Sequence, residues 1–385
     1  MAKKQKEKHI LRYLDMPLLF TTIILFVIGL IMVFSSSNVT AYMSHAVSPY
    51  NYFIKQGIFL IVSLIFSLIM IKFNTKVYGM LSWILLVGIS ASLVILLIYG
   101  KAVNKAISWF DFGFFSVQPS EFIKVIIIIW MSRYYEVNSK GLDSYTKSLF
   151  PLFVAASIAV LIMLQPDLGT AIIFSAIVFF LFVASPISKE IKSKTLLGCV
   201  GAIAVVLMTI VTTGGSLLQA RQLSRFDFRN PCSKLLTNGS QVCNGYIAIN
   251  NGGLTGVGLG NSTQKYLYLP EPYTDFIFAV IVEEMGSIFG VGIILLYMFV
   301  LYRILLIGRN SYTNRGSLMC YGVAIYIFCH IAVNLLGLFG LIPLTGVPLP
   351  FMSYGGSFTI CLVAALTIVQ RVNIENKIRD SLKEK

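Results

Sequence analysis

The residues best suited to chemistry lie in one stretch, 252–284, GGLTGVGLGNSTQKYLYLPEPYTDFIFAVIVEE. Its glycine-rich, polar first half leads to Asp275, immediately ahead of a strongly apolar run, so the acid stands where a helix enters a membrane. A carboxylate at such a boundary is costly to desolvate, and its default reading is functional. Two readings are open. Pro270 and Pro272 hold the approach extended, and Thr274 or Asp275 is suited to cap the helix that follows. Alternatively, Asp275 is a general base, with Gln264, Lys265 and the Gly252–Gly260 backbone bringing donors to a phosphate. A dinucleotide fold is excluded, because no strand precedes the glycines. Glu283 and Glu284 lie about 12 Å further along the same helix at 1.5 Å per residue. Neighbouring helix positions diverge by about 100°, so at most one of the two shares the Asp275 face. Hydrogen bonding or ion pairing inside a bundle is their alternative role.

Other polar groups gather at the edges of apolar runs. In Gln118-Pro119-Ser120-Glu121-Phe122-Ile123-Lys124, Ser120 is placed to cap a helix, and Glu121 and Lys124 have the spacing of an ion pair. Such a pair within a membrane braces the bundle and shapes a polar cavity. Asp167, in the turn Gln165–Thr170, either caps a helix or helps to bind substrate. The run Pro343–Phe351 is too rich in proline to be helical, and irregular backbone at membrane depth must be buried in protein or line a cavity. Ser353-Tyr354-Gly355-Gly356-Ser357 then opens the last apolar run with small residues that allow close helix approach. Arg221, Arg225, Arg229 and Lys234 ask for an anionic partner, either lipid headgroups or a pyrophosphate leaving group. His9, His45 and His330 are scattered, and no His/Cys spacing resembles a zinc site.

Composition dictates the elements that position these groups. The chain is 57% hydrophobic and 12% charged, with mean hydropathy +0.82, against about half apolar and a quarter charged in soluble proteins. The expected fold is all-α: a polytopic membrane bundle of about ten helices, centred near residues 26, 62, 90, 126, 156, 177, 205, 290, 328 and 362. Alternate connections carry 21 of the 30 basic residues, and the positive-inside rule makes that side cytoplasmic, with both termini. The net charge of +14 is therefore a membrane signature, with no nucleic-acid partner implied. The first span reads as uncleaved. A single membrane domain, 1–385, is expected, with cytoplasmic ends at 1–15 and 372–385 and one large external loop, 214–273. Cys232 and Cys243 lie in that loop and either form a disulfide or stay free.

The segments QPSEFIK, QPDLGT, NGGLTGVGLGNSTQKYLYLPEPYTDFIFAVIVEE and IPLTGVPLPFMSYGGS, spread over residues 118–357, together resemble the SEDS family of the bacterial cell envelope, the proteins of FtsW, RodA and SpoVE type. NPCSKLLTNGSQVCNG and YLPEPYTDFIF look more like the FtsW branch. The resemblance implies a peptidoglycan glycosyltransferase that polymerises lipid II, an undecaprenyl-pyrophosphate-linked disaccharide peptide, in the cell membrane at the division septum. It implies a class B penicillin-binding protein and other divisome proteins as partners, a divalent cation (Mg or Mn) as a possible aid, and no organic cofactor. Asp275 matches the family's essential aspartate, Glu121 and Lys124 its ion pair, and Gln264 and Lys265 its loop residues near substrate. Asp275 is the expected catalytic base, with Lys265, Gln264, Arg225, Asn261, Ser262 and Ser353 binding substrate. Glu121, Lys124, Asp167, Glu283 and Glu284 are expected to shape the cavity. The chain departs from the family pattern at Tyr273, usually His, and at Ser108 before Trp109, usually Arg, so Ser108 is left out of the expected site. Alternatives are a RodA-like elongation polymerase, a lipid II flippase and a polymerase or ligase of other lipid-linked sugars. No inverted repeat of the kind common in transporters is visible.

Overall fold

The computed structural model describes residues 11–43, 46–99, 108–113, 115–212, 231–233, 239–266 and 268–383. Among them the chain forms twelve α-helices: α1 (Met16–Met43), α2 (Asn51–Met70), α3 (Thr75–Tyr99), α4 (Pro119–Val137), α5 (Tyr145–Leu164), α6 (Leu168–Ala184), α7 (Lys189–Thr212), α8 (Gly239–Gly252), α9 (Ile277–Met285), α10 (Ser287–Arg309), α11 (Asn314–Leu338) and α12 (Gly356–Lys383). A two-stranded antiparallel ribbon, β1 (Phe110–Asp111) and β2 (Ser116–Val117), precedes α4. The protein is a polytopic helical membrane protein, as the apolar runs require: lipid offers backbone amides no partner, so each run satisfies its own. Seven helices are long and apolar enough to cross a membrane, namely α1, α2, α3, α5, α10, α11 and α12. Each of the ten expected centres falls inside a helix. The apolar α6 has 17 residues, and α4 carries Glu121, Lys124, Arg133 and Glu136.

Burial sorts the helices. The last helix, α12, is the axis of the bundle, buried almost without interruption from Gly356 to Ile374 and packed by α2, α4, α10 and α11. At the periphery, α2 and α3 turn Ile61, Leu64, Leu68, Ile84, Val87 and Ile98 outward, the side chains that lipid would cover. The short helix α9 is buried all round from Ile277 to Glu284, among α1, α8 and α10. Helix α8 packs against α9, where a Cβ on Gly252 would stand 2.1 Å from the Val282 carbonyl oxygen. The Tyr246 hydroxyl donates to the Phe339 carbonyl (2.8 Å), and Cys232 is disulfide-bonded to Cys243 with Cα atoms 4.9 Å apart.

The helix expected to run unbroken from Asp275 is interrupted at Gly286, where φ is +87°. The glycine-rich segment folds around this break. Val257 and Gly258 donate their N–H groups to the carbonyls of Glu283 and Glu284 (both 2.9 Å), and Ser287 donates to the Gly253 carbonyl (2.9 Å). A Cβ on Gly286 would stand 2.2 Å from the Leu254 carbonyl oxygen, and one on Gly256 2.3 Å from that of Glu284. These glycines therefore serve a backbone-to-backbone contact. Within Gly252–Gly260 the amides of Val257 and Gly258 are spent on α9, and those of Gly253 and Gly256 on the carbonyls of Asn250 and Gly252 (3.3 and 2.8 Å), against the expectation that this stretch cradles a phosphate. Gly286→Ala should lower the unfolding free energy by about 3 kcal/mol, combining a left-handed backbone with a clash. Gly292→Ala on α10, where a Cβ meets open space, should leave it unchanged or raise it. Thermal unfolding of the two purified variants makes the comparison, and equal shifts would contradict this packing.

Candidate active site

A cavity of about 520 Å³ opens between the ribbon, α2, α4, α6 and α11, and is roofed by residues 271–275 and by the irregular segment Thr345–Pro348. The proline-rich segment thus lines a cavity, as membrane-depth coil must. Asp275 is held in its wall through the main chain. Three consecutive carbonyls are each taken by a donor: Tyr273 by the Tyr354 N–H (2.9 Å), Thr274 by the Ser353 hydroxyl (2.6 Å), and Asp275 by the Asn334 side-chain amide (3.0 Å). The same Asn334 amide donates to the Val347 carbonyl (2.8 Å), tying the two halves of the roof together. Asp275 does not cap α9, whose N-cap is Phe276 without a side-chain bond. Its carboxylate faces the cavity beside Gly346, where an added Cβ would lie 3.4 Å from Oδ2.

The electrostatics follow from this placement. Five carboxylates line the cavity: Asp111, Glu121, Asp167, Glu271 and Asp275. Among the described residues Lys55 is the one lysine or arginine that does so. Asp275 lies outside the membrane-spanning helices and is half-buried. Burial, then the charge of Glu271, pushes its carboxyl up to about 7 against the opposing hydrogen bond from Thr274. Such a group takes and returns a proton near neutrality. Tyr273 cannot do the same: burial and a hydrogen bond with Tyr52 hold its phenol above the usual range. Its ring packs 4.4 Å from that of Tyr52 and 5.9 Å from that of Tyr354, so here it is a neutral wall beside the acid.

A buried polar chain closes the inner end of the cavity. Lys124 Nζ stands 2.8 Å from Glu121 Oε1 and 2.9 Å from His330 Nε2. Since the ammonium can only donate, Nε2 accepts, and Nδ1 carries the hydrogen that points to the Pro348 carbonyl at 3.3 Å. The expected Glu121–Lys124 pair forms and is extended to α11 and the roof. Ser120 does not cap α4: the N-cap is Gln118, Pro119 holds the first turn, and the Ser120 hydroxyl is buried without a partner. Of its two readings Asp167 makes the cap, accepting from Thr170 N (3.0 Å) at the start of α6; it also lines the cavity and accepts from Gln118 Nε2 (3.0 Å).

The structure moves several expected substrate contacts elsewhere. Lys265 is buried; its ammonium donates to Glu284 Oε1 (3.0 Å) and to the Gly260 carbonyl (2.6 Å). Glu284 also accepts from the Ser35 hydroxyl (2.7 Å). Glu283 accepts from the Ser262 hydroxyl (2.5 Å), the Thr263 hydroxyl (2.9 Å) and the Gln264 backbone N–H (3.3 Å). Lys265, Ser262, Gln264, Glu283 and Glu284 are therefore one internal brace between the loop, α9 and α1, and none lines the cavity. Asn261 is exposed, and its amide donates to the Val257 carbonyl (3.2 Å). Ser353 is buried and positions the Thr274 carbonyl. Arg225, with Arg221, Arg229 and Lys234, lies outside the described residues. Sequence reasoning missed His330, Asn334 and Lys55, and set aside Ser108, which does line the cavity. The signals were present: His330 and Asn334 share a helix face at i, i+4, and Lys55 is a cation at the start of an apolar run. For the expected divalent cation, no three His, Cys, Asp or Glu side chains among the described residues gather as a ligand set. The described residues alone do not form a complete metal site.

Residues 16–378 match the FtsW/RodA/SpoVE family of cell cycle proteins. The chain belongs to this family. It is 37% identical over 386 residues to the probable peptidoglycan glycosyltransferase FtsW of Bacillus subtilis (strain 168), covering 98% of this chain and 95% of that protein. It is 33% identical over 364 residues to stage V sporulation protein E of the same organism, covering 93% and 96%. Its fold is similar to that of a chain from a solved peptidoglycan synthase complex, described as coordinating polymerization and crosslinking (TM-score 0.76, 23% identity, 94% and 98% covered). It is also similar to the rod shape determining protein RodA of Thermus thermophilus (TM-score 0.66, 22% identity, 94% and 96% covered). These two likenesses establish the family's fold in this chain.

The brace makes its own prediction. Lys265→Met should cost about 3–5 kcal/mol of stability, since it leaves a buried Glu284 uncompensated, and adding Glu284→Gln should restore most of it. Chemical or thermal unfolding of the single and double variants measures this. A Lys265→Met protein that unfolds like wild type yet binds substrate poorly would return Lys265 to the substrate.

Proposed function

We propose that this protein is a membrane-embedded peptidoglycan glycosyltransferase that polymerises lipid II in septal wall synthesis. The observation that carries the reading is Asp275: an acid with no cap to make, fixed by its backbone and turned into a cavity. At about 520 Å³ that cavity falls in the range of small-molecule sites, roughly 300–1,000 Å³. Sugar rings and phosphates fit such a space, while a polyprenyl tail and a growing glycan extend beyond it.

In the proposed reaction the 4-hydroxyl oxygen of the acceptor sugar attacks the anomeric carbon of the donor from the face opposite the pyrophosphate. Its proton passes to an Asp275 carboxylate oxygen. The carbon–oxygen bond to the pyrophosphate breaks, and the electron pair leaves on the phosphate oxygen. One displacement turns an α-linked donor into a β-linked product. Lys55 replaces Lys265 as the candidate for neutralising the leaving charge. The ring cluster of Tyr52, Tyr273 and Tyr354 offers apolar faces to a sugar. The buried Glu121–Lys124–His330 chain closes the inner end, which favours an enzyme site over a translocation path.

Family membership supports the rest of the reading: about ten crossings, both termini cytoplasmic, placement at the division septum, and work beside a class B penicillin-binding protein and other divisome proteins. Any divalent cation would draw most of its ligands from the substrate's phosphates and from water. Purified Asp275→Asn protein, incubated with labelled lipid II, should lose glycan synthesis by about 10²–10⁴-fold, the worth of a general base, with thermal stability kept. Wild-type-like polymer from Asp275→Asn would remove the aspartate from the chemistry. Equal activity on a lipid-linked oligosaccharide unrelated to peptidoglycan would overturn the substrate class.

A further inference from the structure

A second cavity, of about 300 Å³, lies at the end of the bundle remote from Asp275. The distance follows from α2, which begins beside Tyr52 and Lys55 of the first cavity and runs 20 residues, about 30 Å, before the turn into α3. The second cavity is lined by Asn74, Lys76, Thr313, Arg315, Asn376 and Arg379. Its charges do not balance. The buried Arg315 pairs with Glu136, and Glu375 takes Arg371 (3.3 Å) together with Thr75 N and Oγ1 (both 2.7 Å). Those two carboxylates are matched by two arginines. Lys76 and Arg379 are exposed, and among the described residues neither has an acidic partner; Arg379 lies 4.5 Å over the Tyr312 ring. The cavity therefore presents surplus positive charge in a concave wall.

Two further features point to a ligand. The Asn376 side chain is buried to about nine-tenths, lines the cavity, and has no hydrogen-bond partner among the described residues. The amide opens to the cavity and is not sealed from it, so its N–H groups and carbonyl can meet a ligand there. The helices α3 and α11 also begin here, with Thr313 capping α11 through the Gly316 N–H (3.0 Å). The α3 end is already answered by Glu375 through Thr75 N, and the positive end of the α11 dipole is left facing this space, where it favours an oxyanion. Phe73 and Met80 stand exposed on the flank of this opening (49% and 64%), so an apolar surface adjoins the polar mouth.

We propose that this pocket binds the phosphate headgroup of an anionic phospholipid, with the acyl chains lying along the exposed flank of α3. Cations, the α11 end and the Asn376 amide recognise the phosphate; the neighbouring apolar surface selects a lipid over a soluble anion. Basic pockets between membrane helices are suited to such headgroups.

The test is native mass spectrometry of the full chain in detergent, offered phosphatidylglycerol, phosphatidylcholine or inorganic phosphate. The wild type should retain phosphatidylglycerol in preference to the other two. Lys76→Ala with Arg379→Ala should lower that retention about thirtyfold, about fivefold for each cation near a lipid headgroup. Asn376→Ala, which changes no charge, should lower it about tenfold, the worth of a hydrogen bond to a charged group. The control pair Lys140→Ala with Lys189→Ala removes the same charge elsewhere on the surface and should leave retention unchanged. Retention unaffected by the pocket variants, or reduced equally by the control pair, would overturn the site. Retention of inorganic phosphate without phosphatidylglycerol would overturn the lipid as its ligand.

Discussion

The proposed active site depends on a division of labour within one residue. The Asp275 main chain is fixed, because its carbonyl and the two before it are each taken by a donor from Asn334, Ser353 or the Tyr354 amide. Its side chain, by contrast, has no helix to cap and, among the described residues, no cation to pair with. Had the carboxylate been the anchor, as in an N-cap, its lone pairs would be spent and its proton affinity depressed. Anchoring through carbonyls leaves it available and, among other carboxylates in a half-buried wall, more basic than usual.

That anchorage relies on α9 staying where it is, and charge chemistry holds it there. Glu283 and Glu284 sit at the end of a helix that is otherwise wholly apolar and buried. Unmatched, two carboxylates at that depth would be intolerable. Lys265, Ser35, Ser262 and Thr263 satisfy them, and in doing so clamp the loop to α9 and α1. The glycine contacts around Gly286 complete the clamp from the backbone side. A conspicuous polar cluster is thus structural, while the acid proposed as the base is the one left out of it.

What the sequence could disclose follows the same line. Local relations were legible: apolar runs became helices, Glu121 and Lys124 paired three residues apart, Asp167 capped α6, and Cys232 and Cys243, 11 residues apart, were bonded. Relations across the chain were not. Lys265 meets Glu284 across 19 residues and Ser35 meets Glu284 across 249, so nothing near Lys265 in sequence marked it as already paired. The glycine-rich segment resembled an anion cradle because its composition is the same whether the amides face a ligand or another helix. His330 looked isolated for a similar reason: its partners, Lys124 and Pro348, come from α4 and the roof.

The most direct measurement is the pH dependence of kcat/KM for glycan synthesis by the purified protein. The proposed base must be ionised to act, so activity should rise with pH through a single-proton limb centred near 7, where burial and the charge of Glu271 place the Asp275 carboxyl. Below that limb the carboxyl is protonated and the rate falls tenfold per pH unit. A rate that stays flat from about pH 5 to 9, or a limb centred near the ordinary carboxylate value of about 4, would contradict the account.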